Sequence, residues 1–150
     1  MGMTDISNTQ NQTDAAAAPK TDSQWREQLS PEQYEVLRNK ATERPFTGEY
    51  VNEKRDGTYR CAGCGAELFS SGTKFDSGTG WPSFTEPANR ANVKLEADYS
   101  YGMHRIEVNC AACGGHLGHV FSDGPGATNE RYCINSCSLS LDESQDSDSA

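Results

Sequence analysis

Four of the six cysteines in this chain fall in a repeated pattern. Cys61-Ala62-Gly63-Cys64-Gly65 and Cys110-Ala111-Ala112-Cys113-Gly114 are matching C-x-x-C-G units, each preceded by a strand-like stretch ending in a polar residue, Arg60 or Asn109. A C-x-x-C turn brings two thiolates to one metal ion, and the following glycine lets the backbone fold beneath it. Two such turns complete a tetrahedral four-thiolate site, the arrangement zinc takes in closed structural positions. One structural Zn2+ per chain on Cys61, Cys64, Cys110 and Cys113 is therefore expected. With four protein ligands it has no open position for substrate. A redox C-x-x-C or a disulfide accounts for one motif but not for a matched pair. The 45 residues between the pairs exceed a simple zinc ribbon, so a subdomain is expected between the knuckles with its ends clamped by the metal.

Cys133 and Cys137 remain. A lone cysteine is by default a small buried apolar side chain, but Arg131, Cys133 and Asn135 share parity on one candidate strand and so face the same side. A cation, a thiol and an amide together make a poor core and a plausible reactive site, because a nearby cation favours the nucleophilic thiolate. Gly115-His116-Leu117-Gly118-His119-Val120-Phe121 reads as a turn running into a strand. Its two histidines are structural or surface residues on one reading. On the other, since the cysteines satisfy the metal, they are free for proton transfer. In Gly78-Thr79-Gly80-Trp81-Pro82-Ser83-Phe84 the tryptophan sits on a loop, where it either plugs the edge of the core or walls a pocket.

The elements that must position these groups are short. Trp25 and Leu29 follow the cap candidates Asp22 and Ser23, and Ser30-Pro31-Glu32-Gln33 is a capping box with proline at the first helical position. Tyr34, Val36, Leu37 and Ala41 give the second helix an apolar side, and it should end before Pro45. Beyond that, Asp56-Gly57 between residues 49–53 and Thr58-Tyr59-Arg60 signals a hairpin. Glu67-Leu68-Phe69, Arg105-Ile106-Glu107-Val108, His119-Val120-Phe121 and Arg131-Tyr132-Cys133-Ile134-Asn135 are further candidate strands. The pattern predicts a mainly β, antiparallel core with short helices on its N-terminal side.

Composition narrows the function. Residues 1–22 and 142–150 carry few apolar groups and read as disordered, leaving a domain over residues 23–141. The tails hold most of the net charge of −9, so the domain is only mildly acidic. Without a basic run there is no electrostatic footprint for nucleic acid. No stretch is apolar for long enough to span a membrane, and Ala15 to Ala18 is too short and weakly apolar for a signal peptide. The expected location is cytoplasmic and the default state a monomer.

Together these motifs closely resemble methionine sulfoxide reductase B, over about residues 25–141. The resemblance is carried in order by Thr42-Glu43-Arg44-Pro45-Phe46-Thr47-Gly48, both knuckles, Lys74-Phe75-Asp76-Ser77-Gly78-Thr79-Gly80-Trp81-Pro82-Ser83-Phe84, His116-Leu117-Gly118-His119-Val120-Phe121 and Arg131-Tyr132-Cys133-Ile134-Asn135-Ser136. It implies a β-tent of two antiparallel sheets, a structural zinc, and reduction of the R epimer of methionine sulfoxide in oxidised proteins, with thioredoxin or another thiol as reductant. It also implies roles. Cys133 is the attacking thiolate, Arg131 favours that thiolate, and Trp81 cradles the substrate methyl group, with Phe121 a further substrate-binding residue. His116, His119 and Asn135 bind and protonate the sulfoxide oxygen. Attack leaves a sulfenic acid on Cys133.

One departure matters. Thr79 stands where many members of that family carry a resolving cysteine. Cys137 is the only spare thiol, and an extended chain over residues 133–137 puts the two Cα atoms about 13 Å apart, beyond the roughly 4.4–6.8 Å of a disulfide. Either an external thiol reduces the sulfenic acid directly, the favoured route, or the strand end unfolds and Cys137 resolves it. The competing class is a zinc-stabilised binding module without catalysis, which leaves the face of Arg131, Cys133 and Asn135 without a purpose.

Overall fold

A computed structural model describes residues 20–143. Most of both segments expected to be disordered lies outside the described residues. Thr21 and Asp22, expected in the first segment, open a helix, and Asp142 and Glu143, expected in the acidic tail, belong to the last strand.

Two capped helices come first among the described residues. In α1 (Asp22–Gln28) the cap is Thr21, not Asp22 or Ser23: its hydroxyl accepts from Gln24 N–H while the Gln24 side chain returns to Thr21 N–H. In α2 (Pro31–Asn39) the expected box forms between Ser30 and Gln33, and the helix stops at Lys40 in the left-handed region, φ 63°. Tyr34, Val36 and Leu37 are its buried face.

Among the described residues nine strands follow, all antiparallel: β1 (Gly57–Cys61), β2 (Glu67–Ser70), β3 (Lys74–Phe75), β4 (Ser83–Phe84), β5 (Val93–Asp98), β6 (Arg105–Cys110), β7 (His116–Phe121), β8 (Arg131–Ile134) and β9 (Leu139–Glu143). One sheet has the order β9-β1-β2 and the other β3-β4-β8-β7-β6-β5. The expected two-sheet, mainly β fold with two N-terminal helices is the observed one. The expected hairpin at Asp56-Gly57 does not form. Residues 49–52 form turns and not a strand, and the partner of β1 is β9, with Leu139 opposite Cys61 and Glu143 opposite Gly57. Local turn chemistry cannot reveal a partner supplied from the other end of the chain.

The sheets are joined by aromatic rings. Tyr59 and Phe69 from the smaller sheet meet Phe84 and Tyr132 from the larger, with centroid separations of 5.2 Å for Tyr59–Phe84, 4.5 Å for the stacked Phe69–Phe84 and 5.6 Å for Phe69–Tyr132. All four are fully buried. Each such pair adds about 0.5–1.5 kcal/mol beyond its buried area, so this cluster fixes how β4 and β8, which carry the reactive face, sit on β1 and β2.

Candidate active site and metal centre

The two knuckles are alike in structure as in sequence. Cys61 ends β1 and Cys110 ends β6. In each, the first cysteine's carbonyl accepts from the trailing glycine, Gly65 N–H at 2.8 Å and Gly114 N–H at 2.7 Å. Both glycines have positive φ, 82° and 76°, which a side chain would strain. The four Sγ atoms lie within 4.8 Å of one another, with Cys61–Cys113 at 3.7 Å and Cys64–Cys110 at 3.6 Å. A tetrahedron with metal–sulfur bonds of about 2.3 Å has sulfur–sulfur edges of about 3.8 Å, so this donor set fits a structural metal ion. The first knuckle joins β1 to β2 and the second joins β6 to β7, so such an ion ties one sheet to the other. The helices brace it: Arg38 stacks on the Trp25 ring at 4.5 Å and donates to Cys113 O at 3.0 Å, and Trp25 packs against Gly63. All six cysteines are unpaired thiols, so neither C-x-x-C pair is a disulfide.

The second constellation lies on one face of the larger sheet. Across it stand Ser83 on β4, Cys133 on β8, His119 on β7 and Glu107 on β6, each the register partner of the next. Arg131 pairs with Phe121 one step along, its guanidinium 4.5 Å from that ring. β8 alternates as its parity predicts, with Tyr132 and Ile134 in the core and Arg131 and Cys133 on the opposite face.

His116 and His119, three apart on a strand, ought to point to opposite faces. They do not, because Gly118 opposes Val108 while His116 opposes Asn109, leaving Leu117 as an extra residue in a β-bulge. The bulge returns both imidazoles to one face with ring centroids 5.7 Å apart. Close approach of the strands at Gly118 is equally specific, since a Cβ there would fall 2.1 Å from the carbonyl oxygen of Cys133.

A cavity of about 90 Å³ opens on this face, walled by Trp81, His119, Phe121, Cys133 and Asn135 and completed by Thr42, Arg105 and Gly118. At about 30 Å³ per water molecule it admits a group of roughly three heavy atoms. Trp81 reaches it from the loop before β4 and donates Nε1–H to Glu43 O at 3.0 Å. That loop depends on Gly80, whose φ is 99° and whose missing Cβ would lie 2.6 Å from Pro45. Of the residues expected at this site, His116 and Arg131 do not line the cavity.

The histidines differ in their partners. His119 Nε2 is 2.8 Å from Asp98 Oδ2. That contact, with the Ser100 N–H and O–H, holds the Asp98 carboxyl well below the usual carboxylate range. A permanent carboxylate fixes the proton on Nε2 and leaves Nδ1 as the ring's free nitrogen. His116 is buried with Nδ1 2.7 Å from Glu107 Oε2, while its Nε2 has no partner among the described residues. Burial pushes its pKa down more than Glu107 pulls it up.

For Cys133, burial pushes the thiol up, and the Thr79 hydroxyl contact and the Arg131 charge pull it down without offsetting the burial. Arg131 is itself shared, its Nε donating to Asp123 at 2.8 Å. Asn135 is buried and held from both ends: its Oδ1 accepts from Glu43 N–H at 3.0 Å and its Nδ2 donates to Leu117 O at 3.0 Å.

The chain does not stay extended over residues 133–137, the condition under which the two Cα atoms would lie about 13 Å apart. β8 stops at Ile134, and Ser136–Ser138 form a tight 3-10 turn whose Ser136 and Cys137 N–H groups both donate to the Glu43 carboxylate, at 2.8 and 3.0 Å. The turn carries Cys137 into a separate cleft beside α2, lined also by Glu43, Val36 and Leu139. Burial and Glu43 push its thiol up to about 12.

Sequence reasoning gave no role to Asp98, Glu107, Glu43 or Arg105. Glu107 had a weak signal, since it shares the polar parity of Arg105 and Asn109, opposite to Ile106 and Val108. Glu43 lay inside a quoted motif. Asp98 ends β5; the apolar–polar alternation of Val93-Lys94-Leu95-Glu96-Ala97-Asp98 is a strand signal, but nothing local ties Asp98 to His119.

A family model, the SelR domain, matches residues 29–143. A peptide methionine sulfoxide reductase MsrB of Bradyrhizobium diazoefficiens is 64% identical over 123 residues, covering 82% of this chain and 88% of the relative. This chain belongs to the methionine sulfoxide reductase B family. The relationship is broad: the MsrB proteins of Thiobacillus denitrificans and Methanosarcina barkeri are 62% and 58% identical, each over more than four-fifths of both chains. The matched span of this MsrB-family chain takes in both knuckles and the whole cavity face. No helix among its described residues is long and apolar enough to cross a membrane.

Proposed function

We propose that this chain reduces the R epimer of methionine sulfoxide in oxidised proteins, with Cys133 as nucleophile. The observation that carries the reading is the cavity, which puts a thiol, an imidazole with a free nitrogen and an indole wall around a space of about 90 Å³. A methyl sulfoxide is electrophilic at sulfur, basic at oxygen and apolar at methyl, and each end has a counterpart here. Trp81 and Phe121 receive the methyl group. The Cys133 thiolate attacks the sulfoxide sulfur, and His119, held at Nε2 by Asp98, relays a proton through Nδ1 to the oxygen. The oxygen passes to Cys133, whose sulfur is oxidised by two electrons as the substrate sulfur is reduced by two, and methionine leaves with Cys133 as a sulfenic acid. Asn135 and the turn tied to Glu43 hold the end of β8 in place. Arg131 favours the thiolate, and His116, bound to Glu107, supports His119 from behind.

The metal on Cys61, Cys64, Cys110 and Cys113 is zinc in this reading, one ion per chain, because a closed four-thiolate set suits that ion. It supplies structural cross-linking only. The reset follows the external route: a thiol, from thioredoxin or a small molecule, attacks the sulfenic acid. The separation of Cys137 into another cleft supports that choice. A cytoplasmic monomer is the simplest setting for this chemistry.

The test is incubation with each epimer of a blocked methionine sulfoxide and dithiothreitol. The R epimer should be reduced and the S epimer left, and Cys133→Ser should fall to the uncatalysed rate. Reduction of neither epimer would return the chain to the class of binding modules.

A further inference from the structure

The one side-chain hydrogen-bond contact of the Cys133 sulfur among the described residues is with a hydroxyl. Thr79 Oγ1 lies 3.9 Å from Cys133 Sγ. Behind it runs a chain of further hydroxyls: Ser77 Oγ is 2.8 Å from Thr79 Oγ1 and 2.8 Å from Ser83 Oγ, and Ser83 Oγ is 3.2 Å from Trp81 O. Ser83 is fully buried and is the register partner of Cys133, so the chain starts and ends on the same rung of the sheet. Thr79 N–H donates to Ser77 Oγ at 3.3 Å, which fixes the loop to this row.

Each hydroxyl has one proton to give, so the row has two consistent orders. With Cys133 as a thiol, S–H points to Thr79, Thr79 donates to Ser77, Ser77 to Ser83, and Ser83 to Trp81 O. With Cys133 as a thiolate every donor turns round: Ser83 donates to Ser77, Ser77 to Thr79, and Thr79 to the sulfur. The reversal rotates hydrogens and moves no heavy atom. In a part-buried row such as this, anchored on the buried Ser83, each bond polarises the next.

We propose that Thr79, oriented by Ser77 and Ser83, is a catalytic residue whose hydroxyl donates to the Cys133 thiolate both when it attacks and when it is released. This rests on the reading of Cys133 as the nucleophile. The charges facing that sulfur do not do the same task alone. Arg131 on its own strand is paired with Asp123, the carboxylates of Asp123 and Glu43 oppose a negative sulfur, and His119 faces it from β7 already bound to Asp98. The second use concerns the reset. An external thiol R–SH attacks the sulfenic acid, giving Cys133–S–S–R and water. A second thiolate then attacks the R-side sulfur, the old S–S bond breaks, and its electron pair stays on Cys133. A thiol of lower pKa leaves faster, so a donor at Thr79 speeds that departure.

The test is the thiol pKa of Cys133 in the metal-loaded protein, from the pH dependence of iodoacetamide alkylation read site by site by peptide mass, with circular dichroism as the check on folding. Thr79→Val should raise the pKa by about one unit and slow alkylation at neutral pH about three-fold, because the lost thiolate fraction outweighs the gain in intrinsic nucleophilicity. Thr79→Ser should keep the wild-type value, and Ser77→Ala should shift it the same way by less. An unchanged pKa in Thr79→Val, or an equal rise in Thr79→Ser, overturns the proposal. If Thr79→Val does not fold, the absence of a shift in Ser77→Ala overturns it instead. Alkylation needs no sulfoxide, so failure here is distinct from failure of the reductase reading.

Discussion

The metal centre and the cavity are built from the same residue type by opposite means. The centre uses four cysteines from two copies of one local turn, each closed by its own hydrogen bonds and a left-handed glycine. The cavity uses one cysteine and borrows everything else: Trp81 from a loop, His119 by way of a bulge, Asn135 and its anchor Glu43 from segments 92 residues apart. Local repetition makes a clamp that tolerates little loss, because each ligand is a quarter of the site. Assembly from distant segments makes a pocket in which single groups can be changed while the frame stands.

The largest effect should therefore come from the clamp. Replacing Cys61 or Cys110 with serine removes a ligand from the four-thiolate set that would hold a structural ion between the two sheets. Since structural zinc binding is worth on the order of 10–16 kcal/mol in isolated modules, loss of the folded state at ambient temperature is the expected outcome. Metal content and thermal unfolding followed together decide it. A Cys61→Ser protein that has lost its metal and keeps the wild-type melting temperature would end the structural reading of the site. Cys133→Ser, by contrast, should lose turnover and leave the melting temperature nearly unchanged.

The same difference explains what was readable beforehand. C-x-x-C-G is a complete local instruction, so the cluster of Cys61, Cys64, Cys110 and Cys113 could be drawn from spacing alone. So could the shared face of Arg131 and Cys133, because strand parity is local, and the box at Ser30 and Gln33. What failed depended in each case on a partner far along the chain that no motif marks. The Asp56-Gly57 turn signal lost to pairing of β1 with β9. The spacing of His116 and His119 hid their common face, because a bulge at Leu117 is a property of two strands and not of one. The anchors Glu43 and Asp98 bond across sequence gaps that carry no periodic signal, and Glu43 bends the chain after Ile134 away from the extended path expected for it.

Within the cavity frame the next largest effect belongs to Gly118. A methyl group there meets the Cys133 carbonyl, a backbone atom that cannot swing aside, so Gly118→Ala must part β7 from β8. Overpacking of this kind costs about 1–3 kcal/mol, and because it displaces Cys133 from His119 it should lower turnover by more than it lowers stability. Chemical denaturation beside single-turnover rates separates the two. Equal stability and turnover to wild type would show that the strands are not held at this spacing.

A smaller, pH-dependent effect should come from His116. Folding lowers its pKa below the ordinary value of 6.5 because burial penalises the charged ring. Above that value both states are neutral and the full stability is present. As pH falls below it the unfolded chain takes up the proton first, so stability drops until the folded-state pKa is passed. Denaturation curves between pH 7 and pH 5 should show this loss, and His116→Gln should flatten it. A slope of the opposite sign would mean that the Glu107 ion pair outweighs burial.

The smallest effect is expected at Cys137, and it bears on the comparison from a third side, that of a cysteine which belongs to neither site. Its N–H is tied to Glu43, its side chain faces the cleft beside α2, and its pKa near 12 leaves almost no thiolate at neutral pH. It should resist iodoacetamide under conditions that label Cys133, and Cys137→Ser should change turnover with either dithiothreitol or thioredoxin by less than about two-fold, since a thiol attacks only as its thiolate. If Cys137→Ser abolished turnover with thioredoxin while sparing the single turnover of Cys133, the turn at Ser136–Ser138 would have to open during each cycle, releasing both N–H groups from Glu43. The frame around the cavity would then be a moving part, and the reset of Cys133 would run through this chain's own second thiol.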